Sequence, residues 1–188
     1  MVRILFLVAF CSQILSSFCQ EKYVSQGLLK TTATIAPSVM LNRSEQNIYL
    51  NGYLEYYVDD HLSLRGETYF FIDGSTSNSD YSHFIHQAMR TYFGAFLHTE
   101  KRNWDKYIGL QPGLALIRPN SNISEELKAC PSFAIHAGTT YYVWKYFHFF
   151  ADIAYVNSFY RGTASGSMKR DEIIFSAGLG FQLMTKKH

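Results

Sequence analysis

The chain has 188 residues, enough for one domain, with 47% hydrophobic, 16% aromatic and 17% charged side chains. Charge is low against the roughly 25% of soluble domains, and a formal net charge of +2 leaves no basic surplus to suggest nucleic acid. Beyond the N-terminus nothing reaches the roughly 18 consecutive apolar residues of a spanning helix, and a mean hydropathy of -0.09 fits either a water-soluble protein or a membrane barrel, where only alternate residues are apolar.

The first 19 residues read as a secretory signal peptide. Met1-Val2-Arg3 is a short basic start, Ile4 to Phe10 is an apolar run, and Ser17-Phe18-Cys19 is a small-x-small cleavage pattern. Cleavage after Cys19 makes 20–188 the mature domain. A lipid-attachment reading at Cys19 is weaker, because Phe18 is bulky where that signal wants a small residue. Cys11 and Cys19 leave with the signal, so Cys130 has no internal disulfide partner. It reads as a loop residue.

The mature chain then alternates with period two, the signature of strands. In LLKTTATIAPSVML, Leu29, Thr31, Ala33, Ile35, Val39 and Leu41 alternate with Lys30, Thr32, Thr34 and Ser38. IYLNGYLEYYV sets Ile48, Leu50, Gly52, Leu54, Tyr56 and Val58 against Asn51 and Glu55. In YYVDDHLSLRGETYFF, Leu62, Leu64, Gly66, Thr68 and Phe70 share one face, with Ser63, Arg65, Glu67 and Tyr69 on the other. HFIHQAMRTYFGAFLH puts Ile85, Met89, Phe93, Ala95 and Leu97 opposite His86, Arg90 and Tyr92. KYIGLQPGLALI, SFAIHAGTTYYV, FHFFADIAYVNS and EIIFSAGLGFQLM repeat the pattern, with Gln111, His136, His148, Asp152 and Glu172 on their polar faces. These are eight strands long enough for the roughly 9–11 residues of a tilted membrane-spanning strand. The expected fold is all-β, an eight-stranded antiparallel up-and-down transmembrane β-barrel.

Connections alternate too. DDH, TEKRNW and WK are tight; NRSEQN, DGSTSNSDYSH, RPNSNISEELKACP and YRGTASGSMKRD are polar and mostly longer. Short turns at one end and longer loops at the other is the polarity of outer-membrane barrels. The loops around 118–131 and 159–171 are the expected contact surfaces. Aromatics cluster near both strand ends, as in an interfacial girdle, with Tyr56, Trp104, Tyr141, Trp144, Phe147 and Tyr155 as its expected members. Tyr57, Tyr107, Tyr142 and Tyr146 fall in the same clusters. Pro37 and Pro112 lie inside predicted strands, and each should mark a bulge or a strand end.

If the apolar rows face outward, the lumen holds Lys30, Glu55, Arg65, Glu67, Arg90, Asp152 and Glu172, with His86, His136 and His148 nearby. Charges buried in so narrow a barrel must pair. Glu67 is expected to face Arg90 on the neighbouring strand. If the rows face inward instead, the Phe and Leu side chains overfill one small interior.

These features resemble the small eight-stranded outer-membrane β-barrel family (OmpA- and OmpX-type), particularly the short porin-like barrels of Bacteroidetes. The signal ending SSFCQ, the unit YYVDDHLSLRGE and the final strand FSAGLGFQL carry the resemblance, over essentially the whole mature chain. In the last strand Gly178, Phe181 and Leu183 match the Gly-x-x-apolar-x-apolar pattern, which implies recognition by barrel-assembly machinery. The resemblance implies residence in the outer-membrane bilayer.

Three functions compete. The leading one is a structural or surface-interaction barrel with a filled polar lumen, neither a wide pore nor an enzyme, and needing no cofactor. A soluble lipocalin-like carrier requires an apolar interior. A lipid-modifying enzyme requires a nucleophile and base, for which Ser82-His83 near Asp80 is the best constellation. Adjacent strand residues face opposite sides, which places that pair poorly, and His83 and His86 differ in parity, so they make no metal site.

Overall fold

The structure is a computed structural model, and it describes residues 23–42, 45–76, 85–119, 127–163 and 166–186. The segments of period-two alternation, rich in β-branched and aromatic residues, form β1 (Leu28–Met40), β2 (Glu45–Tyr57), β3 (Leu62–Thr76), β4 (Ile85–Lys101), β5 (Trp104–Pro119), β6 (Lys128–Trp144), β7 (Phe147–Thr163) and β8 (Gly166–Met184). Each strand pairs antiparallel with the next, and β1 pairs with β8 to close the barrel. Closure satisfies the strand edges that an open sheet would present. The signal-peptide segment lies outside the described residues.

Strand parity sorts the side chains. On β3, Ser63, Arg65, Glu67 and Tyr69 are buried in the interior, while Leu64 and Phe70 are exposed on the outer wall. The other strands follow suit. Ile35, Leu50, Leu54, Phe93, Leu97, Ile108, Leu110, Leu114, Phe149 and Leu179 are between 47% and 63% exposed.

Several expectations need correction. On β4 the register shifts between Ile85 and Gln87. A bulge of this kind reverses strand parity, so Ile85 is buried and His86 faces outward, not into the lumen. Cys130 is not in a loop: it lies in β6, paired with Ala115 and buried. The stretch 159–171 is not a long loop either, because β7 and β8 remain paired out to Thr163↔Gly166. Of the segment 118–131, residues 120–126 lie outside the described residues.

Neither proline sits at a register shift. Pro37 pairs with Ile48 of β2, but on its other side the β1–β8 pairs stop at Thr32↔Gly180 and resume at Ser38↔Ile174. Pro112 pairs with Phe133 of β6, while the β4–β5 pairs skip from Tyr92↔Gly113 to Ala95↔Leu110. Each proline therefore occupies a gap in the ladder, where no amide donor is required. The Thr34 hydroxyl spans the first gap by donating to the Ala177 carbonyl at 2.8 Å.

The end of the barrel with the tight connections 58–61, 102–103 and 145–146 is covered by the N-terminal segment. Val24 is fully buried against Leu28, Tyr57 and Tyr142, and Tyr23 stacks on Tyr142 at 5.4 Å. The Gly27 amide donates to the Tyr57 carbonyl at 2.9 Å. Gly27 takes φ 92, where a side chain is strained.

Candidate functional site: a charged lumen inside an apolar wall

The lumen is filled by side chains. Its largest fully buried groups are Arg65, Arg90, Arg170, Tyr49, Tyr57, Tyr69, Tyr92, Tyr142, Lys30 and Phe96. All seven predicted lumen charges are buried, Asp152 the least so at 6% exposed. They separate into two networks.

The network nearer the tight turns is centred on Glu55. Its carboxylate lies 3.0 Å from Lys30 Nζ, 3.1 Å from Arg65 Nη2 and 3.1 Å from His98 Nε2. It also accepts the Ser63 hydroxyl at 2.5 Å. Lys30 donates to Tyr57 Oη at 2.8 Å, and Tyr57 donates to Asp105 at 2.7 Å. The Arg65 guanidinium is held among the rings of Phe96, Tyr53 and Tyr107 at 3.9, 4.1 and 4.7 Å. Such contacts stabilise a cation away from water. Arg65 lies 3.8 Å from Asp152, which sits 2.9 Å from His136, and His136 lies 3.6 Å from Glu67. Glu67 accepts from Asn51 and from Tyr69, each at 2.8 Å.

The second network is centred on Glu172. Arg90 reaches it across the lumen at 2.5 Å. Ser38, Asn47 and Tyr49 donate to the same carboxylate at 2.5, 2.6 and 3.0 Å. Glu67 and Arg90 therefore do not pair. On adjacent strands Arg90 faces Tyr69 and Glu67 faces Tyr92, and Arg90 finds its carboxylate on the far wall.

Residues that sequence reasoning missed include His98 and Asp105. The His98 ring and the Asp105 carboxylate complete the network nearer the tight turns, with His98 Nδ1 2.9 Å from Asp105. The signal was present: His98 shares the parity of Arg90, and Asp105 that of Tyr107 and Gln111. Both flank the stretch TEKRNW, whose polar residues read as turn although β4 and β5 stay paired to Lys101↔Trp104. Ser63 Oγ, His98 Nε2, His98 Nδ1 and Asp105 form a chain with links of 2.8 and 2.9 Å, the spacing of a hydrolytic triad. The Ser63 hydroxyl nevertheless donates to Glu55 and is fully buried, so this chain ties β3, β4 and β5 together. Asp80, Ser82 and His83 lie outside the described residues. Among the described residues no cluster of His, Cys, Asp and Glu could hold a metal ion.

On the outer wall, Trp104 and Tyr141 pair at 4.9 Å and Trp144 stacks with Phe147 at 6.1 Å, all near the tight turns and facing out. Tyr56 is half-buried on the same outer face. Tyr155 also faces outward, but it lies near the middle of β7, because that strand runs on to Thr163. Tyr57, Tyr107 and Tyr142 point inward and belong to the lumen.

The fold is shared with solved outer-membrane proteins. OprG of Pseudomonas aeruginosa superposes with a TM-score of 0.63 at 12% identity, covering 86% of this chain and 98% of its own. The neisserial surface protein NspA gives 0.59 at 11% identity, covering 84% and 96%. The N-terminal barrel domain of Pseudomonas aeruginosa OprF gives 0.54 at 17% identity, covering 84% and 98%. No family model and no curated protein sequence matches the chain.

Proposed function

We propose that the protein is an integral outer-membrane β-barrel with a polar, side-chain-filled lumen, serving a structural or surface-interaction role and not that of a wide pore. One observation carries the reading: the molecule is inside out. Arg65, Arg90, Lys30, Glu55 and Glu172 are sealed within, while Leu97, Phe93, Leu114 and Leu110 stand on the surface. Water-soluble monomers rarely expose apolar patches beyond a few hundred Å², whereas a bilayer-spanning barrel requires an apolar band.

Further features support it. The strands, 13 to 19 residues long, exceed what a bilayer requires. Trp104, Tyr141, Trp144 and Phe147 are suited to an aromatic girdle, and residues 1–19 to export. Gly178, Phe181 and Leu183 lie on β8 with Phe181 and Leu183 exposed on the wall, available to assembly machinery. A lipocalin-like carrier would need an apolar interior, where this one holds two ion-pair networks. Arginine and tyrosine side chains occupy the space that a diffusion pore would need.

Membrane fractionation tests the proposal. The protein should leave membranes only with detergent, float with lipid vesicles, and migrate differently on SDS gels before and after boiling. In planar bilayers it should give no large, long-lived conductance. Release by osmotic shock without detergent would refute membrane residence, and porin-sized conductance would refute the filled lumen.

A further inference from the structure

The outer wall is not uniformly bulky. A groove of about 820 Å³ crosses strands β5 to β8 and reaches the closing seam with β1. Inter-strand register explains its shape. Lys106, Thr139, Ala151 and Ala177 are successive partners across β5, β6, β7 and β8, so three small side chains follow one lysine. On the tight-turn side, the parallel row is Trp104, Tyr141, Phe149 and Leu179, all large. On the other side Ile108, Ile153 and Phe175 form the opposite bank, which drops to Ala137 on β6. The result is a trough between two ridges.

The trough climbs the wall. Lys106 stands just inside β5 beside the turn 102–103, whereas Ala177 lies well up β8 from its end at Met184. Beyond Ala177 the trough reaches Ile35, mid-way along β1. Four inter-strand steps of about 4.8 Å give a length of about 19 Å. A single leaflet of hydrocarbon is about 15 Å thick, half of a core of about 30 Å. The cation sits at the end where phospholipid phosphates would lie, and the apolar floor leads from it toward the bilayer centre.

We infer that this trough is a binding site for one anionic phospholipid of the leaflet at the tight-turn end, with its phosphate on Lys106 and one acyl chain along Thr139, Ala151 and Ala177. The inference rests on the membrane reading above. Charge complementarity at Lys106 selects a phospholipid over a second copy of the barrel, which would have to bring its own anion to that point of an apolar wall.

Trp104 lines the groove and reports on it. With Trp144 replaced by Phe, it is the sole tryptophan of the two in the chain. The full chain in detergent micelles is titrated with phosphatidylglycerol brominated midway along one acyl chain. Trp104 fluorescence should be quenched saturably, near one lipid per barrel. K106Q should raise the half-saturation concentration about fivefold, as for an interfacial ion pair, and K106R should restore it. Filling the floor with A151L and A177L should abolish the saturable phase while the boiling-dependent gel shift shows an intact barrel. If that double variant fails to fold, K106Q still decides the matter. Quenching that rises linearly and ignores K106Q would overturn the site, leaving lipid as mere solvent. Cross-linked dimers through Ala151→Cys would also overturn it, in favour of a second copy. Flotation of the same protein after detergent removal in the presence of phosphatidylcholine lipid separates the two readings. A chain that floats but shows no saturation overturns the lipid site alone, whereas one that does not float overturns membrane residence and the site with it.

Discussion

Glu172 and Arg90 are both buried, but they depend on each other unequally. Among the described residues Arg90 makes its ion pair with Glu172 alone, and its Nε and Nη1 have no hydrogen-bond partner. Glu172 has three further donors in Ser38, Asn47 and Tyr49. E172Q therefore strands a guanidinium in the lumen. Removing one partner of a buried pair costs about 3–5 kcal/mol, because the remaining charge is uncompensated. R90M leaves a carboxylate that still accepts three hydrogen bonds. It loses one charge-assisted hydrogen bond, about 1.5–3 kcal/mol, and a cation placed 5.1 Å over the Tyr49 ring. E172Q should thus be the more damaging, by about 1–2 kcal/mol, and the double variant should fall closer to R90M than to the sum. Urea unfolding in lipid vesicles, followed by tryptophan fluorescence and by the boiling-dependent gel shift, measures this. With a slope of about 2 kcal/mol per molar, E172Q should lower the midpoint by roughly 2 M and R90M by roughly 1 M. An E172Q midpoint within experimental error of wild type, or above that of R90M, would refute the description of Glu172 as the centre of the second network.

Other outcomes follow from the wall and the ends. L110R places a charge on an outward residue that is 57% exposed. It should destabilise the barrel in vesicles by about 2–4 kcal/mol if Leu110 lies near the bilayer midplane, whereas a water-facing site would change by less than about 0.5 kcal/mol. G94A should impair assembly, because the added carbon would meet backbone atoms at Leu110 and Gln111, including Gln111 Cα at 2.7 Å. Backbone cannot rotate away as a side chain can, so a cost of about 1–3 kcal/mol is expected in the same unfolding assay. V24D should free the N-terminal segment from the tight-turn mouth, since Val24 is fully buried. Its signature is faster amide exchange at Gly27 and Leu28, and proteolysis ahead of β1, with the boiling-dependent gel shift retained. Unchanged exchange would show that Val24 does not hold the segment.

Period two is a local property, and it was enough to read eight strands and to place Lys30, Glu55, Arg65, Glu67, Arg90, Asp152 and Glu172 on polar faces. An extended backbone sends neighbouring side chains to opposite sides whatever the rest of the chain does. Alternation says nothing about where a strand continues or slips. The pairing of β7 with β8 out to Thr163, and of β6 through Cys130, depends on a partner strand being present. The bulge at Ile85/Gln87 turned His86 outward although its sequence parity matched that of Arg90. Partner choice was the least legible. Arg90 and Glu67 lie on adjacent strands, yet closure of the cylinder sets Glu172 of β8 within 2.5 Å of Arg90 and gives Glu67 to Asn51, Tyr69 and His136. Which charges share a face was decided by the sequence through strand geometry. Which of them meet was decided by the tertiary structure, because pairing across a lumen depends on how far every strand in the ring is shifted against its neighbours.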